Sequence, residues 1–300
     1  MALRNIVLAG VSGNLGPAIL TAVSSSPSFA VTVFTRRGSS PTVPSGVKTV
    51  VVNYDSIDDL TAKLRGQDAI VSTIPPTAAA AQTNLIHAAV AAGVPRFLPS
   101  EFGGDLDNPI NRAAPTFAVK VEAQELLNSL AAEGKITYTV VYTGAFLDWG
   151  LRVGFPVDPR NKKATLHDGG ERLYTTTTLG GVGKAVVGVL DHPGRTRNRV
   201  LRVGEVVTTI QELLALSQDV VGGEGWTITK PDTAAEAEKA LVKIKQGVFT
   251  LDTMMPFVYR AVWGKDTGGH FTTTDNDLLG LEVLDKAGLK KLIQDIVGGK

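Results

Sequence analysis

The stretch that most constrains this chain lies at residues 6–20, where an apolar run gives way to three evenly spaced glycines, Gly10, Gly13 and Gly16. The apolar run is typical of a β-strand, and the sequence after the glycines has helical spacing, with Pro17 in the first turn. A strand, a tight turn and a helix N-terminus in this order present free backbone N–H groups to a phosphate. The G-x-x-G-x-x-G spacing therefore predicts a dinucleotide site; the alternative is an ordinary βα turn rich in glycine.

Each glycine of this turn has its own predicted role. Gly10 permits the turn, Gly13 lets a pyrophosphate approach the backbone, and Gly16 lets the helix pack on the strand. The side chains expected to surround the phosphates lie between the glycines and are Ser12, Asn14 and Leu15.

Composition narrows the possible function classes. Three hundred residues with 43% hydrophobic content can form one large α/β domain or two lobes that share an interface. Thirty Lys and Arg against 29 Asp and Glu leave a net charge of +1, which would attract neither nucleic acid nor an anionic membrane. The sequence has no cysteine, and its four histidines have no metal-ligand spacing. We expect a soluble, cytoplasmic protein, a monomer or a homodimer, without a metal, nucleic-acid or membrane partner.

The second predicted strand covers residues 30–34, and the loop after it indicates which dinucleotide binds. In a dinucleotide fold this loop meets the adenosine ribose, where an acidic residue favours a free 2′-hydroxyl and an arginine favours a 2′-phosphate. The loop has no acidic residue and contains Arg36 and Arg37, followed by the hydroxyls of Ser39 and Ser40. It therefore predicts NADP(H) rather than NAD(H), with a solvated basic loop as the alternative.

Alternating strand and helix patterns continue to residue 98 and predict a doubly wound parallel sheet of the Rossmann type. Ligands bind at the carboxyl ends of the strands in such sheets. The strand ends in this sequence carry Asp55, Thr73, Ile74, Ser100 and Phe102. We expect Asp55 to reach the adenine, and Phe102 to form a wall for the nicotinamide or the substrate.

Lys120 is the candidate reactive side chain. It lies on a predicted helix that begins at or near Pro115, on the same side as Phe117 and Gln124 and close to an apolar seam. A lysine on a helix is usually solvated, so its position alone leaves a functional and a surface interpretation open.

These motifs together resemble the isoflavone-reductase-like branch of the NmrA-like family, a group of atypical short-chain dehydrogenases. The resemblance rests on the three glycines, on Arg36, on residues 96–103 (RFLPSEFG) and on residues 117–120 (FAVK), and it runs nearly end to end. The branch includes phenylcoumaran benzylic ether reductases and pinoresinol–lariciresinol reductases. The resemblance implies that Lys120 is the catalytic residue.

Ordinary short-chain dehydrogenases use a Tyr-x-x-x-Lys pair, which this sequence lacks because Thr116 stands four residues before Lys120. Lys120 must therefore act as acid or base, orient the nicotinamide ribose, or do both. Two positions depart from the plant reductases: Gly144 replaces a polar residue and Tyr142 replaces a small hydroxyl side chain. We therefore do not transfer the plant substrates to this chain.

The C-terminal half is expected to bind the substrate. Residues 1–150 form the predicted nucleotide domain, to which residues 172–204 return, and residues 151–300 form mainly a smaller α/β substrate lobe. The bulky side chains expected to surround a small aromatic substrate are Phe102, Phe146, Trp149, Met254, Met255 and Phe257. For each of them the alternative is a place in the core.

The predicted function is an NADPH-dependent reductase that transfers hydride to a phenolic, ketone or benzylic ether substrate, with Lys120 managing the proton. Two alternatives stay open. One is an NADP(H)-sensing regulator without turnover, and the other is an isomerase or cyclase that retains the cofactor site.

Overall fold

Seven parallel strands form the central sheet in the computed structural model, which describes residues 2–299. In chain order the strands are β1 Asn5–Ala9, β2 Ala30–Arg36, β3 Lys48–Val52, β4 Ala69–Ser72, β5 Arg96–Leu98, β6 Thr137–Tyr142, β7 Ala145–Phe146, β8 Val157–Asp158, β9 Lys163–Thr165, β10 Tyr174–Thr177, β11 Arg199–Arg202, β12 Val206–Thr208 and β13 Thr227–Thr229. The large sheet has the order β11-β6-β5-β4-β1-β2-β3, and every neighbouring pair is parallel. This order confirms the doubly wound, Rossmann-type fold.

Helices cover both faces of this sheet. They are α1 Gly16–Ser25, α2 Ile57–Leu64, α3 Ala79–Ala92, α4 Pro109–Arg112, α5 Ala118–Ala132, α6 Leu147–Val153, α7 Leu179–Asp191, α8 Ile210–Val221, α9 Thr233–Lys245, α10 Leu251–Trp263, α11 Asn276–Leu279 and α12 Lys286–Val297. Short 3-10 turns occupy Pro76–Ala78, Pro115–Phe117 and His167–Gly169. None of the helices within residues 2–299 is long and apolar enough to cross a bilayer.

Strand β1 shows why the first apolar run has no polar alternation. Ile6 and Leu8 pack into the core layer on the side of α1 and α7, whereas Val7 and Ala9 pack into the layer on the side of α2, α3 and α5. A parallel strand buried on both faces requires such a continuous run of apolar side chains. Both faces of β1 are therefore covered by helices up to the point where the glycine turn begins.

The sequence predicts capping boxes at three helix starts, Ser56 with Asp59, Thr209 with Glu212 and Thr233 with Glu236, and their outcomes differ. The capping box between Thr209 and Glu212 is confirmed. Ser56 caps α2 as expected, but the Asp59 carboxylate accepts hydrogen bonds from the Asn53 backbone N–H and from Lys63 instead of closing a capping box.

The capping box predicted to start at Thr233 is wrong. The N-cap of α9 is Asp232, whose side chain accepts a hydrogen bond from the backbone N–H of Ala235. Thr233 instead gives its hydroxyl and its backbone N–H to the carboxylate of Asp168. Thr233 is therefore used in a tertiary contact with Asp168 and not as the helix cap that the local pattern predicts.

The C-terminal half adds two three-stranded sheets within the described residues, ordered β12-β10-β7 and β13-β9-β8. Helix α7 packs against α1, where a Cβ at Gly183 would lie 2.9 Å from the carbonyl oxygen of Ala18. Strand β11 pairs with β6 in the large sheet, whereas β10 belongs to a small one. The division of the chain into a nucleotide domain and a substrate lobe at residue 150 stays a prediction.

Candidate active site

A cavity of about 1300 Å³ lies at the carboxyl ends of the central strands. It brings together residues that the sequence predicts from separate loops. The predicted cofactor residues in its wall are Gly10, Ser12, Gly13, Asn14, Leu15, Arg36, Arg37, Asp55, Thr73, Ile74, Ser100 and Lys120. Phe102 and Phe146, predicted for the substrate, are also part of this wall.

Each glycine of the first turn has a distinct packing environment. At Gly10, with φ +88°, a Cβ would lie 2.6 Å from the carbonyl carbon of Thr73, so a side chain is excluded by the end of β4 as well as by the turn. At Gly13 a Cβ would meet only the Gly10 carbonyl oxygen, at 3.7 Å, so this backbone faces open space. At Gly16 a Cβ would lie 2.4 Å from the Cα of Val11. Gly16 therefore lies outside the cavity wall, and its lack of a side chain lets α1 pack closely against the turn.

The basic loop lies beside the glycine turn. Arg36 is the last residue of β2, and both it and Arg37 line the cavity. The hydroxyl oxygens of Ser12 and Ser39 are 3.5 Å apart, which joins the two loops. An anion held by the turn would thus have guanidinium groups within the same cavity.

The sequence did not single out Tyr54, an aromatic side chain that follows β3. Its hydroxyl donates to the Phe34 carbonyl at 3.3 Å, and burial raises the pKa of this phenol well above its usual range. Tyr54 lines the cavity next to Asp55, which the sequence does predict. Only its position at a strand end could have identified it, a feature it shares with many structural residues.

Lys120 lies in the first turn of α5, immediately after the 3-10 turn that Pro115 opens. Its side-chain amine donates a hydrogen bond to the main-chain carbonyl of Glu101. Burial lowers the pKa of Lys120, and the nearby Glu101 carboxyl opposes that shift. Lys120 is therefore a half-buried amine at the cavity wall, and not the solvated surface lysine of the alternative interpretation.

Glu101 is a buried carboxyl beside this amine. Only 3% of the residue is exposed, and its Oε1 has no hydrogen-bond partner among residues 2–299. Burial raises the pKa of Glu101 to about 7, against the opposing effects of Lys120, Gln124 and Arg112. The next residue, Phe102, has a φ of +31°, a conformation that non-glycine residues rarely adopt. This strained turn places the carbonyl of Glu101 towards Lys120 and the Phe102 ring in the cavity wall.

A polar network on the side of α5 lies next to Lys120 and Glu101. The Gln124 side-chain amide donates to the Tyr142 hydroxyl at 3.2 Å, and its oxygen accepts from Arg112 at 3.4 Å. Tyr142 is fully buried, lies outside the cavity wall, and has a raised pKa because of burial and nearby carboxylates. Its hydroxyl therefore stays protonated and holds Gln124 in place.

The structure also explains the glycine at position 144, one of the two departures from the plant reductases. This residue has a φ of +64°, and a Cβ there would lie 2.0 Å from the carbonyl oxygen of Thr175. The backbone at β10 approaches too closely for any side chain, so glycine is a packing requirement in this chain.

The predicted aromatic substrate residues separate into two groups. Phe102 and Phe146 line the cavity, and Trp149 stands edge to face with Phe146 at a ring-centroid distance of 6.5 Å. Phe257 instead packs in a separate cluster with Ala237, Ala240 and Ile244, and Met254 packs against that cluster. Met255, on the same helix, is half-buried and outside the cavity wall. Helix α10 turns the face that carries Met254 and Phe257 towards α9, so these two side chains lie outside the wall of the large cavity.

No group of three or more potential metal-ligating side chains occurs within the part of the chain that the structure describes. The cavity instead offers what a dinucleotide requires: bare backbone at Gly13, a helix start at Gly16, and cationic side chains at Arg36 and Arg37. The residues present therefore fit NADP(H), and fold and site together define a Rossmann-type dinucleotide-binding protein.

Comparison with known proteins identifies the family. The model of the NmrA-like family matches residues 3–225, and the chain belongs to this family. The oxidoreductase poxI of Penicillium oxalicum is 36% identical over 248 residues, which cover 80% of this chain and 77% of that protein. The phenylcoumaran benzylic ether reductase PT1 of Pinus taeda is 33% identical over 175 residues, or 54% of this chain and 55% of that protein. These names agree with the oxidoreductase class and with the resemblance found in the sequence.

Solved structures share the fold at low sequence identity. The complex of leucoanthocyanidin reductase with NADPH from Vitis vinifera has a TM-score of 0.74 and 18% identity, covering 98% of this chain and 99% of that one. A structure described as AtPrR2 with NADP⁺ and (+)-pinoresinol has a TM-score of 0.75 and 19% identity, covering 99% of both chains. The overall fold of these solved structures therefore extends along nearly the whole chain.

Proposed function

We propose that this protein is an NADPH-dependent reductase of small aromatic molecules, with Lys120 as the general acid or base. The observation that carries the proposal is the position of Lys120. Its half-buried amine, the Phe102 ring and the Phe146 ring line the same cavity as the glycine turn and Arg36. Strands β2 and β5 are separated by β1 and β4 in the sheet, and three strand spacings correspond to about 14 Å. This separation suits a dinucleotide with its adenosine end at Arg36 and its nicotinamide end near Lys120.

The cofactor assignment rests on three groups in the chain. The backbone of Gly13 would receive the pyrophosphate, Arg36 and Arg37 the 2′-phosphate, and Asp55 and Tyr54 would flank the adenine. The structural neighbours that hold NADPH or NADP⁺ support the same cofactor. When bound, NADPH supplies the hydride.

The chain's own residues manage the proton. The protonated amine of Lys120 donates a proton to the oxygen that gains charge on the substrate, and the neutral amine accepts one in the reverse direction. Its lowered pKa brings the two forms closer in free energy near neutral pH. Glu101 lies next to this amine and has a pKa of about 7, so its charge modulates the protonation of Lys120 in the same pH range.

The substrate class follows from the rings beside Lys120. Phe102 and Phe146 offer flat apolar faces, and Trp149 supports Phe146 from behind. Relatives named for benzylic ether reduction and eugenol synthesis act on small aromatic compounds, which supports a substrate of the phenolic, ketone or benzylic ether type.

A panel assay tests the proposal. The protein is mixed with NADPH and with aromatic ketones, quinones or benzylic ethers, and the absorbance of the reduced nicotinamide is followed. Consumption of NADPH with at least one of these classes, and its loss in Lys120→Met, is the expected result. Tight binding of NADPH without consumption across the panel would overturn the reductase proposal in favour of an NADP(H)-sensing regulator or a non-redox enzyme.

A further inference from the structure

The turn that follows β5, residues 99–103, carries groups that lie next to the Lys120 amine. Its Glu101 carbonyl accepts the hydrogen bond from Lys120, and its Phe102 ring is part of the wall of the large cavity. Phe102 has a φ of +31°, and a backbone conformation of this kind persists only where the surrounding structure holds it. The contacts that hold residues 99–103 therefore decide where the carbonyl of Glu101 points.

The end of this turn is held by backbone groups. The N–H groups of Thr143 and Gly144 both donate to the carbonyl oxygen of Gly103, at 3.0 and 3.1 Å. Within the turn, the N–H of Glu101 donates to the carbonyl of Pro99 at 2.8 Å. None of these three bonds involves a side chain.

The start of the turn is held by a side chain, that of Gln82 on α3. Its Oε1 accepts a hydrogen bond from the backbone N–H of Ser100 at 2.9 Å, and only 6% of the residue is exposed. A buried glutamine is uncommon, because its amide then depends on partners within the protein. Among residues 2–299, only Gln82 and Lys120 have side chains that hydrogen-bond to the main chain of residues 99–103.

We propose that Gln82 is a positioning residue for the Lys120 amine: by holding the N–H of Ser100, it fixes the turn that directs the Glu101 carbonyl towards Lys120. Gln82 lies outside the wall of the large cavity, so it acts through the turn and not on a ligand. Its importance for turnover rests on the proposed function, in which Lys120 transfers the proton.

Loss of the Gln82 oxygen should change the protonation of Lys120. Without this anchor the strained backbone at Phe102 can relax, and the Glu101 carbonyl then leaves its place beside the amine. A carbonyl acceptor stabilises the protonated amine relative to the neutral one, so its withdrawal lowers the pKa of Lys120. The Glu101 carboxyl is the charge that acts on Lys120, and a movement of this group away from the amine lowers the pKa as well.

The experiment measures the pKa of Lys120 by NMR titration of the full-length protein, with lysine isotopically enriched at Cε. The Lys120 signal is identified by its absence from the spectrum of Lys120→Met. Gln82→Met keeps the length of the side chain but removes the oxygen, and should lower the pKa of Lys120 by about one unit. An unchanged pKa would overturn the proposal. The titration needs neither NADPH nor substrate, so its result stands even if the panel assay finds no reductase activity.

Two further variants separate positioning from packing. Gln82→Glu restores an oxygen acceptor for Ser100, and a carboxylate also favours the protonated amine, so the pKa of Lys120 should not fall below its wild-type value. Ile86→Val, a buried change one turn further along α3, loosens the packing of this helix but keeps Gln82, and should leave the pKa unchanged. If Gln82→Met does not fold, Gln82→Asn takes its place, because it withdraws the oxygen by one methylene. An equal fall of the pKa in Gln82→Glu or in Ile86→Val would mean that Gln82 serves packing alone, and would refute its positioning role.

Discussion

The side-chain amine of Lys120 donates a hydrogen bond to the main-chain carbonyl of Glu101, whose own carboxyl is buried with an unpartnered oxygen. The backbone turn at Glu101 thus orients the Lys120 amine and also places a second ionisable group, the Glu101 carboxyl, near it. Because burial disfavours the charged form of both groups, each becomes sensitive to the charge of the other.

Removal of the amine should stop turnover without removing the cofactor site. Lys120→Met keeps most of the side-chain volume but cannot transfer a proton, so kcat should fall by about 10²–10⁴-fold. NADPH affinity, measured by fluorescence titration, should stay within about threefold, because the glycine turn and Arg36 are unchanged. Near-wild-type turnover in this variant would remove Lys120 from the chemistry.

The pH profile should report on Glu101. In the wild type the Glu101 anion, formed as pH rises through about 7, favours the protonated form of Lys120. Glu101→Gln removes this charge, so the pKa of Lys120 should fall and the alkaline loss of kcat/KM should move to lower pH by about one unit. The exposed Glu122→Gln, on α5, is the control and should leave the profile unchanged. An unshifted alkaline limb in Glu101→Gln would mean that the two groups are not coupled.

Arg36 should determine the choice between NADPH and NADH. Loss of a charge-assisted contact to the 2′-phosphate in Arg36→Ala should weaken NADPH binding by about 10- to 100-fold while leaving NADH binding nearly unchanged. Arg65→Ala, at the exposed end of α2, is the matched control. Equal weakening of both cofactors by Arg36→Ala would indicate a general electrostatic effect instead of recognition of the phosphate.

Gly144 should tolerate no side chain. In Gly144→Ala the new Cβ would meet the Thr175 carbonyl oxygen at 2.0 Å, which should reduce the free energy of unfolding by about 3 kcal/mol or more. Gly46→Ala has a similar positive φ with open surroundings, and should cost only roughly 1 kcal/mol. Urea unfolding of both variants separates the clash from the backbone strain, and equal losses would contradict the packing explanation.

Acid should destabilise the protein through His167. Burial lowers its pKa from 6.5 to about 4, so between these pH values the unfolded chain binds a proton that the folded chain does not. Stability is therefore intact above pH 6.5 and decreases as pH falls towards 4, by up to about 3 kcal/mol from this residue. His167→Phe should reduce the difference in unfolding free energy between pH 7 and pH 4.5. A variant that loses as much stability as the wild type would place the acid sensitivity elsewhere.

The sequence predicts the first half of the chain well because its signals are local. Period-two and period-3.6 patterns, the glycine turn and the left-handed Gly93 at the end of α3 depend on neighbouring residues in the chain. Parallel strands then place their carboxyl ends at one edge, so residues from distant loops were correctly predicted to share one cavity.

The C-terminal half of the chain was harder to predict because its contacts are tertiary. The bulky segment of α10 has the composition of a pocket wall, yet the orientation of the helix buries Phe257 against Ala237 and Ala240. The stacked environment of His167 is formed by Tyr259 and Trp263, almost a hundred residues later in the chain, and no local pattern indicates it. Glu101 belongs to the RFLPSEFG motif, yet the partner of its main-chain carbonyl, Lys120, is known only once α5 is in place.

The wall of the large cavity consists of residues between Gly10 and Lys120, with Phe146 as the one later contribution within the described chain. If this wall holds NADP(H), as proposed, the side chains that meet the cofactor come from the first two fifths of the sequence. A substitution after Lys120, Phe146 apart, therefore reaches this wall only indirectly, through packing.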